Sequence, residues 1–197
     1  MTKVPEIGPS AAEKLYNKGI TTIAQLTEAF NKDPKLLNNK QAIGINYFHD
    51  LQQRIPREEM NEWNTFFTVL LKYTIEKMKN KGNEPIGAKM ELVGSYRRGA
   101  ESSGDIDILL TSDNAEEGKK LMTTFVKELL KTDNMDSTLV FSSGSTKFMG
   151  LGKIENYYRH IDIFYYSKKE YPFALLFSTG SGPVSYTHLT LPTKASV

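Results

Sequence analysis

Two short stretches of strict alternation constrain this chain more than anything else in it. Asp105-Ile106-Asp107-Ile108-Leu109-Leu110 and His160-Ile161-Asp162-Ile163-Phe164-Tyr165 interleave polar or acidic side chains with large apolar ones. Successive residues of a strand project to opposite faces, so the isoleucines belong to a core while the aspartates share the other face. The pattern predicts a sheet with a hydrophobic layer on one side and carboxylates on the other. Met90-Glu91-Leu92-Val93, Thr138-Leu139-Val140-Phe141 and Lys147-Phe148-Met149-Gly150-Leu151 supply further strands. The covering layer is legible as well. Trp63, Phe66, Phe67, Leu70, Leu71, Ile75 and Met78 recur every three or four residues over 63–79, the stripe of a core-facing helix, and Leu121, Met122, Phe125, Leu129 and Leu130 give a second. Before residue 55 the pattern is one of short helices, with Ala11, Leu15 and Tyr16, then Ile23, Leu26 and Phe30, at helical spacing and stops at Lys18-Gly19 and Asp33-Pro34. The expected class is α+β: a small helical unit over residues 1–55, then a mixed sheet with helices over 56–182.

Composition narrows the chemistry. None of the 197 residues is cysteine, which excludes disulfides, thiolate zinc sites and a cysteine nucleophile; any metal must be held by oxygen or histidine ligands. Basic and acidic side chains nearly balance, 25 against 23, but residues 1–100 hold 15 basic and 11 acidic, leaving 10 and 12 for the rest. The asymmetry points to a polyanion-binding first half joined to a carboxylate-using second half. No apolar run approaches the roughly 20 residues of a membrane span, and Met1-Thr2-Lys3 is unlike a signal peptide. An intracellular protein with no membrane partner is expected.

Like charges as close as Asp105 and Asp107 repel unless a cation neutralises them or one keeps its proton, so the pair suggests a divalent-metal site. Asp-x-Asp alone is also what the polar face of an exposed strand looks like. Asp162 and the preceding loop separate the two readings. Three carboxylates on neighbouring strands suit two Mg²⁺ ions about 3.5–4 Å apart, the arrangement for in-line displacement at phosphorus. Gly94, Ser95 and Gly104 can bring backbone N–H groups and a hydroxyl to phosphate oxygens. Arg97 and Arg98 add fork-shaped cationic donors.

The run Gly94-Ser95-Tyr96-Arg97-Arg98-Gly99-Ala100-Glu101-Ser102-Ser103-Gly104-Asp105-Ile106-Asp107 resembles the nucleotidyltransferase motif of the DNA polymerase beta family, polymerase family X. Similar stretches follow the family's order: Ile7-Gly8-Pro9-Ser10-Ala11-Ala12, Arg54-Ile55-Pro56-Arg57-Glu58-Glu59-Met60, Thr146-Lys147-Phe148-Met149-Gly150, Arg159-His160-Ile161-Asp162-Ile163 and Thr179-Gly180-Ser181. The likeness extends from Thr2 to Gly182. It implies a helix-hairpin-helix DNA-binding unit over 1–55 and a nucleotidyltransferase palm over 56–182, without the family's lyase domain or its nucleotide-closing subdomain. It implies a DNA-directed DNA polymerase that fills short gaps in base excision repair, acting as a monomer on gapped or primer-template DNA with deoxynucleoside triphosphates, and nuclear if the source is eukaryotic.

The residue roles come from the same resemblance. Asp105, Asp107 and Asp162 would bind two Mg²⁺ ions, with Asp162 also helping to accept the primer 3′-hydroxyl proton. Arg54, Gly94, Ser95, Arg98, Ser103 and Gly104 would contact the triphosphate. Lys147 would contact the template strand and His160 the DNA. In the first unit, carbonyls of Thr2, Val4 and Ile7 would hold a monovalent cation, Na⁺ or K⁺, bridging to DNA beside Gly8, Ser10 and Ala11. Arg57, taken alone, reads as a solvated surface charge.

Five positions depart from the family pattern. Glu6 stands where the hairpin usually has glycine, which implies weaker DNA affinity. His160 stands where arginine is common. Phe164 replaces an arginine that can pair with a catalytic aspartate, which would bias Asp107 toward metal binding. Phe177-Ser178 takes the place of an aromatic pair that polices the sugar, so weaker discrimination against ribonucleotides is expected. Template-independent terminal transfer and a non-catalytic DNA-binding module are the competing functions; small-molecule nucleotidyl transfer shares the palm but not the first unit. Residues 183–197 have neither a helical stripe nor strand alternation. Val184-Ser185-Tyr186-Thr187-His188-Leu189 is what a widely used transposase sequencing adapter encodes in frame, so this tail is read as non-native.

Overall fold

The first helix, α1 (Pro9–Asn17), begins at a proline whose missing N–H would have no partner in the first helical turn anyway. It ends where Gly19 takes a left-handed conformation, φ 79°. Capping boxes open the next two major helices. Thr22 and Gln25 exchange side-chain to backbone hydrogen bonds at the start of α2 (Ile23–Lys32), and Asn38 and Gln41 do so at α3 (Asn39–Asn46). A single 3₁₀ turn, Pro34–Leu36, lies between them, and α4 (Phe48–Gln52) follows. Val4, Ile7, Leu15, Ile20, Leu26, Leu37 and Ile45 form the core of this unit. A computed structural model describes residues 1–180 and divides the chain into Met1–Gln53 and the part from Arg54 onward. The tail from 183, and Ser181, lie outside the described residues.

The second unit starts with β1 (Ile55–Pro56) and α5 (Arg57–Lys79). Then come β2 (Lys89–Leu92), a four-residue α6 (Gly94–Arg97), β3 (Ser102–Ser103) and β4 (Ile106–Thr111). After α7 (Ala115–Leu129) the chain forms β5 (Met135–Ser143), β6 (Lys147–Gly152), β7 (Arg159–Tyr165) and α8 (Tyr171–Thr179). β1 and β3 pair antiparallel. The main sheet has the order β2-β4-β7-β6-β5, and β4–β7 is its one parallel pairing.

One face of that sheet is closed by α5 and α7. Ile106, Ile108, Leu110, Ile161 and Ile163 meet Trp63, Phe67, Leu121 and Phe125 in a single core, where Trp63 stacks on Phe67 with ring centroids 5.4 Å apart. The alternation of isoleucine with aspartate thus sorts as strand geometry requires. The opposite face is covered beside β4, where Val93, Leu109, Tyr171 and Ala174 pack together under α8.

Helix α8 has no counterpart in the apolar periodicity. Phe173, Leu176 and Phe177 are exposed while Tyr171 and Ala174 are buried, so apolar residues surround the helix and no stripe marks it. α5 and α7 each begin six residues before their stripes. Their first turns are polar, with Glu58 and Glu59 in one and Glu116 and Glu117 in the other, and Asn114 caps α7; such residues complement the helix N-terminus without entering the core. Among the described residues no helix is long and apolar enough to cross a membrane.

Candidate active site

The parallel register sets Asp107 of β4 directly beside Asp162 of β7. Adjacent strands lie roughly 4.8 Å apart, so the two carboxylates start from neighbouring backbone positions on the face away from the α5–α7 core. Asp105 precedes β4 by one residue. Burial raises the Asp107 carboxyl to about 7, reinforced by the charges of Asp105 and Asp162. Asp105 is also raised, by burial first and by Asp162. These shifts are what uncompensated carboxylates acquire when packed together.

Asp162 faces His160, whose Nδ1 is 3.1 Å from Asp162 Oδ1. The contact is an ion pair by distance, and Asp162 Oδ1 is otherwise buried without a hydrogen-bond partner. Burial pulls the imidazole pKa down, and the surrounding Asp162, Asp105 and Asp107 outweigh it, leaving a net upward shift. The ring stacks on Phe141 at 5.4 Å.

The phosphate-cradle residues lie against these carboxylates. Gly94 adopts φ 62°, and a Cβ there would stand 2.9 Å from Asp107 Oδ2, so the position requires glycine both for its conformation and for the close approach. The Val93 N–H donates to the Asp107 carbonyl at 2.9 Å, and Ser95 Oγ donates to Ser103 Oγ at 2.9 Å. Arg54 reaches across β1–β3 to the hydroxyl and carbonyl of Ser102. A Cβ on Gly104 would come 3.4 Å from Arg54 Nη1. Arg54, Gly94, Ser95, Ser103 and Gly104 are therefore gathered around one loop, next to Asp105 and Asp107.

Arg98 sits differently. Its Nη1 donates to the Thr179 carbonyl at the end of α8, at 2.8 Å. Arg97 is committed elsewhere too, to Glu91 Oε1 at 2.5 Å, and is not a free phosphate donor. Arg57 departs from the solvated surface charge expected of it. Its Nη1 donates to the carbonyls of Tyr96 and Ala100, and its guanidinium lies 4.8 Å from the centre of the Tyr96 ring. It holds the loop in shape, a role that no local pattern announces because its partners are about forty residues away.

Lys147 pairs across the sheet with Phe164, its Nζ 5.5 Å from the ring centre. In the first unit, the Thr2, Val4 and Ile7 backbone forms the turn ahead of α1. The Ile7 N–H donates to the Val4 carbonyl at 3.1 Å. Glu6 has φ 63°, the one positive value outside glycine among the described residues. Gly8 caps α1, and Ser10 and Ala11 lie in its first turn along an open groove that also includes Lys14 and Lys18. Among the described residues this turn has a helix after it and none before it.

Hard carboxylate oxygens are the donor set that Mg²⁺ prefers, and Asp162 Oδ1 is a buried acceptor without a hydrogen-bond partner, with only the His160 ring paired to it. Among the described residues, however, no group of three or more His, Asp or Glu side chains is drawn together tightly enough to form a finished metal cage.

Residues 54–168 match the family described as DNA polymerase beta palm. The chain belongs to that family, polymerase family X. Residues 1–52 match the fingers domain of DNA polymerase lambda. Among curated relatives, DNA polymerase lambda of Arabidopsis thaliana is 31% identical over 187 residues, covering 89% of this chain and 32% of the relative. DNA polymerase lambda of Rattus norvegicus is 25% identical over 182 residues, covering 88% of this chain and 29% of the relative. The chain thus spans about a third of the length of these family X relatives.

Proposed function

We propose that this chain carries the nucleotidyl-transfer centre and a DNA-gripping unit of a family X DNA polymerase. The reaction is addition of a deoxynucleotide to a primer 3′-hydroxyl in a short gap during repair, with pyrophosphate leaving. What carries this reading is the placement of Asp107 beside Asp162 in parallel register, with Gly94 packed against the Asp107 carboxylate.

Asp105, Asp107 and Asp162 would hold two Mg²⁺ ions, and the Asp105 and Asp107 carboxyls, raised by burial first and then by neighbouring carboxylates, are groups that a cation would stabilise in their charged form. Bound there, Mg²⁺ supplies charge neutralisation at the triphosphate and a more acidic 3′-hydroxyl. Ser95, Ser103 and the Gly94–Ser95 backbone orient the phosphates, with Arg54 at the rim. Asp162, the carboxylate beside His160, accepts the hydroxyl proton. Arg98 would leave the Thr179 carbonyl to reach a bound triphosphate. The substrates are gapped or primer-template DNA and deoxynucleoside triphosphates, the working form is a monomer, and the site of action is the nucleus in a eukaryotic cell. The turn over residues 2–7 would hold a Na⁺ or K⁺ ion through carbonyls against a DNA phosphate.

The test is incorporation of one deoxynucleotide into a one-nucleotide gap with Mg²⁺, together with binding of a Mg²⁺-deoxynucleoside triphosphate by this chain. Asp162→Ala is expected to abolish incorporation and preserve salt-dependent DNA binding. Incorporation within about tenfold of wild type, roughly 1.4 kcal/mol, would remove Asp162 from the chemistry. Extension of a single-stranded primer without template would favour terminal transfer.

A further inference from the structure

Glu91 belongs to none of the residues assigned above, yet its carboxylate is the point where three elements meet. It lies on β2, opposite Leu109 of β4. Oε1 accepts from Arg97 Nε in α6 at 2.5 Å, and Oε2 accepts from the Tyr171 hydroxyl at the start of α8 at 3.0 Å. Lys89 Nζ stands 3.3 Å from the same Oε2. The carboxylate is three-quarters buried, with 24% of the side chain exposed.

The arrangement continues to the other end of α8. Arg97 Nη1 donates to Thr179 Oγ1 at 3.3 Å, and the adjacent Arg98 donates to the Thr179 carbonyl at 2.8 Å. Both termini of α8 are therefore tied to the Gly94–Gly99 loop, one through Glu91 and one through the two arginines. Further supports come from Arg57, from Ser103 through Ser95 Oγ, and from Asn61, whose Oδ1 accepts from the Tyr96 hydroxyl at 2.8 Å.

We infer that Glu91 is a positioning residue for the triphosphate site: by fixing Arg97 against Tyr171, it sets the pose of the Gly94–Gly99 loop and of the adjacent Arg98. The inference rests on the proposed nucleotide-binding role of that loop. Its physical content is pre-organisation. A charge-assisted, partly buried hydrogen-bond pair fixes a short loop before the ligand arrives, so less ordering is needed on binding. Without the Glu91 charge, Arg97 keeps only its hydrogen bond to Thr179 Oγ1 and the loop samples several poses.

The test uses Glu91→Gln, which keeps side-chain size on β2, and Tyr171→Phe, which removes only one hydroxyl. Two quantities are measured on each: hydrogen exchange of the amides at 94–99 without nucleotide, and the Kd of a fluorescent Mg²⁺-deoxynucleoside triphosphate. Expected for Glu91→Gln is faster exchange confined to that loop and a Kd weakened about tenfold, with Tm within a few degrees of wild type. Tyr171→Phe should shift both in the same direction by less. If wild type binds nucleotide while Glu91→Gln leaves exchange and Kd unchanged, or tightens binding, the positioning role is overturned and the polymerase reading stands. If wild type itself binds no nucleotide, the polymerase reading fails and the role of Glu91 falls with it.

Discussion

Asp107 and Asp162 are cross-strand partners in the single parallel pairing of the main sheet. Two carboxylates there, with Asp105 alongside, make the folded state resist full ionisation. The Asp107 carboxyl, raised by burial and then by Asp105 and Asp162, titrates at about 7, against about 3.9 for an unperturbed aspartate. The unfolded chain therefore releases this proton earlier than the folded one. Stability from the protonated group is fully present below about pH 4 and is lost as pH rises to about 7. His160 acts in the same direction, since its folded pKa is raised by the aspartates in spite of burial.

Magnesium should reverse that loss, because a cation competes with the proton for the same oxygens. In thermal melts, 10 mM Mg²⁺ is expected to raise Tm little at pH 5.5 and clearly at pH 8. An equal shift at both pH values would mean that the ion acts away from the three aspartates.

Replacing one carboxylate removes repulsion and function together. Asp107→Asn is expected to stabilise the metal-free protein at pH 8 by on the order of 1–2 kcal/mol, with little effect at pH 4.5. The Mg²⁺-dependent rise in Tm should disappear. A destabilised Asp107→Asn at pH 8 would show that the cluster is held by hydrogen bonds rather than strained by charge.

Much of this centre is legible in the sequence because its two determinants are local. Strand alternation assigns Asp107 and Asp162 to one face and their isoleucine neighbours to the other, and the glycine of Gly94-Ser95 marks a left-handed turn. What the sequence hides depends on partners far along the chain. Arg57 belongs to the loop only because β1 pairs with β3, and Glu91 becomes a junction only because α8 folds back over β4. Helix α8 itself leaves no periodic trace, since its outer face carries Phe173, Leu176 and Phe177.

The Arg159–Glu59 pair is another such long-range contact. Arg159 Nε donates to Glu59 Oε1 at 2.8 Å, Nη2 donates to Oε2 at 2.5 Å, and Trp63 Nε1 approaches Oε1 at 3.4 Å. Both side chains are more than nine-tenths buried. Glu59→Ala strands a guanidinium in the core and is expected to lower stability by about 3–5 kcal/mol in urea unfolding. Glu28→Ala, which breaks the exposed pair with Lys32, should leave the unfolding midpoint nearly unchanged. Similar losses for the two variants would contradict the buried pair.

Glu6 provides a test in the first unit. Its φ of 63° places a side chain in the left-handed region, a strain of roughly 1–2 kcal/mol for an ordinary residue. The conformation is held from two sides. Gln41 Nε2 donates to the Glu6 carbonyl at 3.2 Å, and α3 approaches so closely that a Cβ on Gly44 would stand 2.5 Å from the Pro5 carbonyl oxygen. Glu6→Gly relieves the strain and keeps the Gln41 bond, because that bond is to backbone. Part of the gain is offset by glycine's greater freedom in the unfolded chain. The expected net effect is a stabilisation of about 0.5–1 kcal/mol, read from denaturant unfolding with a probe in residues 1–53. Tighter DNA binding should accompany it, since a negative charge leaves the turn proposed to face a phosphate. If Glu6→Gly destabilises the unit, the left-handed turn is held by the Glu6 side chain itself.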